Sequence, residues 1–216
     1  MSQEITTIEK ILDKNEQMSR ELNQKLTKQN VFFVNLLGSP GAGKTTFLLS
    51  LIPLLKKQAF VIEGDIASDI DTQKLNDAGI RAVQINTNGA CHLEVPQIEA
   101  VLPGAIANSI IFVENIGNLV CPAEFLIGED VKILLSTVTE GSDKPYKYPL
   151  AFEVSDLIMV NKSDITDVVD FDKDYFEKGV RLLNKKAQII YVSGKTGQGL
   201  EEVAAWINER IESKRS

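Results

Sequence analysis

The sequence is short of the residues that staple small proteins and of the charge that nucleic acids attract. It contains two cysteines and one histidine in 216 residues, too few for a disulfide framework and too few for a closed tetrahedral metal site of four Cys/His ligands. Lys and Arg number 23 against 30 Asp and Glu, a net charge of -7. That balance argues against a phosphate backbone as the main partner, so no nucleic acid is expected. No apolar run approaches the roughly 20 residues that span a bilayer. The polar start, Met-Ser-Gln-Glu-Ile-Thr-Thr, lacks the apolar core of a signal peptide. These absences predict a cytoplasmic protein with no membrane partner, whose cysteines are free thiols or metal ligands. What is present, 44% hydrophobic and 25% charged residues, is ordinary for a globular chain able to bury its own core.

Residues 4–28 carry Ile5, Ile8, Ile11, Leu12, Leu22 and Leu26 at helical spacing without Pro or Gly. This predicts an N-terminal amphipathic helix over 1–29, packed on its own domain or serving as an arm for a partner. From Val31 the pattern changes to short apolar runs at 31–37, 60–62, 110–113, 133–138, 157–160 and 189–192. They lack strict alternation, as strands covered on both faces do. Helical stretches at 44–57, 69–78, 94–102, 168–184 and 199–213 lie between them. The alternation predicts an α/β fold, a mainly parallel sheet flanked by helices, over 30–216. Ligands in such folds sit at the carboxyl ends of the strands.

Directly after the first run stands Gly38-Ser39-Pro40-Gly41-Ala42-Gly43-Lys44-Thr45. The pattern Gly, four residues, Gly, Lys, Thr at a strand–helix junction is a phosphate loop. Its glycines let successive N–H groups face a phosphate, and the helix N-terminus adds its dipole. Gly38, Gly41, Ala42, Gly43, Lys44, Thr45 and Thr46 are the phosphate-binding candidates. Lys44 bridges the terminal phosphates and the Thr45 hydroxyl ligates Mg²⁺ in this scheme.

A later run ends in Asn161-Lys162-Ser163-Asp164. A carboxylate at Asp164 accepts from both N1–H and the exocyclic amine of guanine, a donor pair that adenine lacks. Lys162 can lie along the nucleotide, and Asn161 can tie this loop to the phosphate loop. Ser193-Gly194-Lys195 follows the last run and is placed to back the base. GTP and GDP are therefore the expected ligands. Phosphoryl transfer also needs acids near Mg²⁺ and the attacking water. Glu63-Gly64-Asp65 and Glu114-Asn115-Ile116-Gly117 supply them at two strand ends. Lys44, Asp65 and Glu114 are the catalytic candidates; Thr45, Asp65 and Glu114 are the Mg²⁺ candidates. Gly117 can give its N–H to the γ-phosphate. Asp69 and Asp71 read as caps of the next helix.

Cys91-His92 and Cys121 occupy two loops beside these acids. Thiolate and imidazole suit Ni²⁺ or Zn²⁺, although both cysteines could equally be small buried hydrophobes. Three ligands leave an exchangeable position, or room for a second copy of the chain in a GTP-dependent homodimer.

The runs Asn88-Gly89-Ala90-Cys91-His92-Leu93-Glu94 and Glu114-Asn115-Ile116-Gly117-Asn118-Leu119-Val120-Cys121-Pro122 closely resemble HypB, the hydrogenase nickel-incorporation GTPase family of the SIMIBI class. The phosphate loop, Glu63-Gly64-Asp65, Thr139-Glu140-Gly141 and Asn161-Lys162-Ser163-Asp164 resemble it too, from about Ile5 to the C-terminus. The resemblance implies GTP hydrolysis accompanying nickel insertion into the NiFe hydrogenase large-subunit precursor, in concert with a HypA-type nickel chaperone. It puts the family's nickel or zinc ligands on Cys91, His92 and Cys121. The family's N-terminal Cys-x-x-Cys-type motif and His-rich tract have no counterpart in this sequence, so nickel storage is not expected. The related urease accessory GTPase carries a Cys-Pro-His triplet, which is absent here. A P-loop kinase is opposed by residues 161–164 and by the lack of an Arg-rich lid. A nucleotide-gated interaction protein with structural cysteines is the remaining alternative.

Overall fold

The computed structural model describes residues 2–65, 69–87, 89–102 and 107–214, with side chains from residue 13 onward. Asn88 and the side chains of Ile5, Ile8, Ile11 and Leu12 lie outside the described residues. Helix α1, Ser2–Lys28, leads into β1, Phe32–Gly38, and α2, Lys44–Leu51. Then come β2 (Ala59–Asp65), α3 (Ile70–Asp77), β3 (Arg81–Asn86), α4 (Val95–Val101) and β4 (Ile110–Glu114). The second half holds α5 (Cys121–Glu124), β5 (Val131–Thr137), α6 (Lys144–Lys147), α7 (Pro149–Glu153) and β6 (Leu157–Asn161). Helix α8 (Lys173–Leu183), β7 (Gln188–Tyr191) and α9 (Leu200–Ser213) complete the order.

The strands form one seven-stranded sheet in the order β3-β2-β4-β1-β5-β6-β7, every pair parallel. The chain moves to one side of β1 first and to the other after β4. The crevice at the carboxyl end of β1 is therefore the topological switch point, where ligands of open α/β sheets bind. Alternation along β1 sends Phe32, Val34 and Leu36 to one face, where they pack with Phe47 and Leu48 of α2 and Val203, Trp206 and Ile207 of α9. Phe33 turns to the other face with Leu22 and Leu26 of α1 and Val95 and Ile98 of α4. Leu37 on that same side meets Phe152, Phe176 and Val180. Burial on both faces is why these strands read as continuous apolar runs. The second half of α1 is docked by those two leucines and by Asn23 Nδ2, which donates to Gly128 O and to Asp130 Oδ1, both at 2.9 Å.

Some elements depart from the sequence pattern. Strand β3, unanticipated, is an edge strand, Arg-Ala-Val-Gln-Ile-Asn, whose only buried residue is Ile85, so it lacks the apolar run of its neighbours. The expected helix 44–57 ends at Leu51, because Pro53 tightens the chain into a 3-10 turn. Helix α8 starts at Lys173, where the Asp172 side chain accepts from Tyr175 N at 2.9 Å; the 3-10 segment Ser163–Val168 ends four residues before Asp172. No described helix is long and apolar enough to cross a membrane.

Candidate functional site

The phosphate loop is shaped by close approach as much as by torsion. A Cβ at Gly38 would stand 2.9 Å from Leu135 O and 3.1 Å from Lys44 Cδ. Gly43 has φ +89°, and a Cβ there would meet Asn161 Nδ2 at 2.8 Å. Lys44, the first residue of α2, is buried, with Nζ 3.3 Å from the Gly38 and Ser39 carbonyls and 3.7 Å from Glu114 Oε1. None of these contacts is short. The first turn of α2 carries no acid, so its positive pole is uncompensated and faces the crevice. A cleft of about 410 Å³ opens there, lined by Lys44, Thr45, Thr46, Asp65, Glu114 and Gly117 among others. Gly117 lies against the loop: a Cβ would stand 2.8 Å from Pro40 Cγ.

Asn161 ties three segments together. Its Nδ2 donates to Ala42 O at 2.8 Å, and its Oδ1 accepts from Gly194 N at 3.1 Å. One buried amide thus joins the end of β6 to the phosphate loop and to the Ser193-Gly194-Lys195 loop. Lys162 Nζ donates to Gly41 O at 2.9 Å and to Thr139 Oγ1 at 3.4 Å. Asp164 and Lys195 are exposed. Ser193 is buried, its Oγ accepting from Thr196 N at 3.1 Å.

The acids meet through sheet register. Glu63 of β2 stands opposite Glu114 of β4, so two carboxyl groups enter the cleft side by side. Thr45 Oγ1 lies 3.5 Å from Glu114 Oε2. Glu63 Oε2 accepts from Thr72 Oγ1 at 2.7 Å, while buried Oε1 has no fixed donor among the described residues. Burial pushes Glu114 up to about 8, Lys44 pulling against it and the Glu63 charge adding to it. Burial also raises Glu63, opposed by donors from Thr72 and Glu114. A proton held by Glu114 and offered to Glu63 satisfies both carboxyl groups. The donor set, a hydroxyl and closely set carboxylates including an unsatisfied oxygen, fits a hard cation such as Mg²⁺. A cation bound there displaces the proton, so Mg²⁺ affinity should climb as pH rises from about 6 toward about 8 and level off above it, with proton release below. Calorimetry in buffers of different ionisation enthalpy measures both. Affinity independent of pH would remove Glu114 from the cation shell.

Cys91, His92 and Cys121 converge, one ligand atom of each within 4.8 Å of the others. Cys91 Sγ is 3.5 Å from His92 Nδ1. The His92 ring stacks flat on Phe125, centroids 4.1 Å apart. Cys121 opens α5 with Pro122 directly behind it, so Cys121 and Phe125 come one helical turn apart and both reach the same loop. Burial lowers the His92 pKa, which favours the neutral, ligating imidazole. The Cys121 thiol is raised, first by its hydrogen bond with Cys91, a shared proton of the kind that a bound metal displaces.

Residues 32–191 match the model of the CobW/HypB/UreG nucleotide-binding domain. The hydrogenase maturation factor HypB of Azotobacter vinelandii is 39% identical over 204 residues, 93% of this chain and 67% of that protein. The chain belongs to the HypB family. A second HypB, the hydrogenase/urease maturation factor of Helicobacter pylori strain 26695, is 34% identical over 213 residues, 96% of this chain and 88% of that protein. The crystal structure of H. pylori HypB in complex with nickel superposes with a TM-score of 0.89 at 33% identity, covering 93% of this chain and 96% of that one. HypB from Archaeoglobus fulgidus gives 0.85 at 30% identity, covering 93% and 100%. The parallel sheet, phosphate loop and N-terminal helix are thus those of a HypB-type P-loop protein.

Two contributors escape the reading of single motifs, and a third, Glu63, stands in a segment already read for its acids but takes its role from the fold. Glu63 joins the acids because β2 and β4 are neighbours. Phe125 supports His92, and its signal is an aromatic four residues after Cys121. Lys144 Nζ reaches Ser39 Oγ at 3.3 Å and Glu140 Oε1 at 3.4 Å, bringing the Thr139-Glu140-Gly141 segment to the phosphate loop. Asp69 stands at the start of α3, but its carboxylate accepts from Gln73 Nε2 at 2.7 Å instead of capping the backbone, while Asp71 lines the cleft.

Proposed function

We propose that this protein is a GTP-hydrolysing nickel-insertion accessory protein for NiFe hydrogenase maturation, acting in the cytoplasm with a HypA-type chaperone on the large-subunit precursor. The observation that carries the reading is adjacency: the cluster of Cys91, His92 and Cys121 includes a ligand four residues past Gly117, which rests on Pro40 of the phosphate loop. Relatives named hydrogenase maturation factors, and one solved with nickel, support the assignment. Nickel is the cargo in this scheme; zinc fits the same donors.

Lys44 neutralises the terminal phosphates, and the N–H groups around Gly41, Ala42 and Gly43 cradle them. Mg²⁺, held by Thr45, Asp65 and Glu114 with Glu63 beside them, supplies charge neutralisation at the transferring phosphoryl group. Gly117 N–H senses the γ-phosphate. No Gln or Arg stands at the switch positions, so intrinsic turnover is slow. Three ligands per chain leave a coordination position that a second copy completes, which favours a homodimer in the GTP state.

The deciding experiment is nickel stoichiometry and affinity of the full chain with GTP analogue, with GDP and without nucleotide; nickel binding absent in every state sinks the reading. Lys44→Ala should weaken GTP by about 10²-fold, the loss of a buried charge-assisted contact. It also frees Glu114 from the cation that holds its pKa down, so Mg²⁺ dependence should worsen in parallel. Nucleotide binding unchanged by this substitution would displace Lys44 from its role.

A further inference from the structure

Below the metal loops, on the sheet face between the two apolar clusters of that side, runs a buried chain of polar groups apart from the Cys91/His92/Cys121 cluster, of which Asn115 alone lines the nucleotide cleft. Asn35 of β1 is fully buried and sits in register with Val113 of β4 and Lys132 of β5. Asn115, 1% exposed, donates through Nδ2 to Asn35 Oδ1 at 3.3 Å. Asn35 Nδ2 donates to Glu129 Oε1 at 3.3 Å, and that oxygen is 3.5 Å from Lys132 Nζ. Lys132 Nζ then donates to Ala123 O at 2.8 Å.

The ends of this chain are its telling feature. Asn115 follows Glu114 directly, and its Oδ1 accepts from Leu93 N at 3.4 Å and from Ile116 N at 3.0 Å. Leu93 is the residue after His92; Ile116 precedes Gly117. The far end, Ala123 O, belongs to the four-residue helix that begins at Cys121. Side chains reinforce the first junction: a Cβ on Gly64 would stand 2.9 Å from Leu93 Cδ1 and 3.3 Å from Ile116 Cγ1. One network therefore grips the His92 loop, the Glu114–Gly117 turn and the Cys121 helix at once.

Stability does not account for it. For a buried Lys–Glu pair, here with side chains 7% and 4% exposed, desolvation can outweigh the attraction, and well-packed apolar replacements are often neutral or stabilising. Such networks fix one arrangement among several. Both lone pairs of the Asn115 carbonyl oxygen are taken, one by Leu93 N and one by Ile116 N, so a movement of the Ile116–Gly117 turn as Gly117 N–H meets a γ-phosphate shifts the amide that holds Leu93.

Resting on the function proposed above, we propose that Asn115, seated on Asn35 and the Glu129–Lys132 pair, is the positioning residue through which nucleotide state reaches the Cys91/His92/Cys121 cluster. The element is a linkage and not a ligand; its signature is the ratio of nickel affinities between nucleotide states. In the full chain with Mg²⁺, nickel affinity measured with GTP analogue and with GDP should differ by about 5–150-fold, the usual span of allosteric coupling. In Asn115→Ala the ratio should fall to within about twofold of unity, while one nickel per chain and its thiolate charge-transfer absorption persist. A merely structural role lowers both affinities together and leaves the ratio unchanged. Should Asn115→Ala fail to fold, the double variant Glu129→Gln/Lys132→Met serves: it removes both buried charges together, so neither is left unpaired, and cuts the tether to Ala123, again collapsing the ratio. A folded variant that keeps the parent's ratio overturns the linkage alone. A parent that binds nickel equally in both states likewise overturns the linkage alone, and a parent that binds none in either state overturns the function reading and the linkage with it.

Discussion

Asp164→Asn should convert the protein from guanine to xanthine nucleotides, lowering GTP affinity by about 10³-fold and raising XTP affinity by a similar factor. The cause is hydrogen-bond polarity. A carboxylate accepts from guanine N1–H and from the exocyclic amine; the Asn carboxamide replaces one of those acceptors by a donor, which xanthine's C2 carbonyl satisfies and guanine's amine repels. The surrounding frame keeps this change local. Asn161 remains clamped between Ala42 O and Gly194 N, and Lys162, at φ +59°, remains tied to Gly41 O. Asp164 itself is exposed, so thermal stability should hold, as surface substitutions move it by about 0.5 kcal/mol or less. Competition of GTP, XTP and ATP against a fluorescent GDP analogue reads the three affinities together. GTP affinity unaffected by the substitution would mean that the base is read elsewhere.

Whether a residue's role is legible in the sequence depends on whether it acts through its own neighbours or through the sheet. The phosphate loop is local: eight consecutive residues, two of its glycines at positive φ, carry their own geometry. The segment at 161–164 is nearly so, since its place after an apolar run fixes it at a strand's carboxyl end. The pairing of Cys91 and His92 with Cys121 is suggested by proximity to the acids, and the fold brings their ligand atoms within 4.8 Å. Glu63 is different. Its importance lies in standing opposite Glu114, and strand order is not written in any local spacing. Asn35 and Lys132 are more opaque still: Asn35 interrupts an apolar run and Lys132 stands just before one, where sequence reading sees only an imperfect strand, and register alone reveals that they face one another inside the core. Strand β3 is hidden for the opposite reason, since an edge strand needs no apolar run to mark it.

Cys121→Ala should abolish nickel binding at micromolar concentrations, because of how the three ligands are divided between loops. Cys91 and His92 are adjacent, so removing Cys121 leaves a pair from one loop and nothing from the other. Loss of an outer-shell partner alone costs about 10–100-fold in metal affinity, and a ligand costs more. GTP affinity measured without metal should stay close to that of the parent, because Cys121 lines no part of the nucleotide cleft and a half-buried thiol carries little packing. The substitution leaves Phe125 in place, and with it the stacked His92 ring, so the loop should not collapse with its ligand. Phe125→Ala supplies the contrast: all three ligands remain, His92 loses its backing, and affinity should drop within the outer-shell range. Metal analysis after gel filtration, with GTP analogue and with GDP, separates the cases. If the GTP state forms a dimer through shared metal, Cys121→Ala should elute as a monomer with either nucleotide. Nickel retained at parent stoichiometry by Cys121→Ala would detach the metal from this helix and leave Gly117 with nothing to report to.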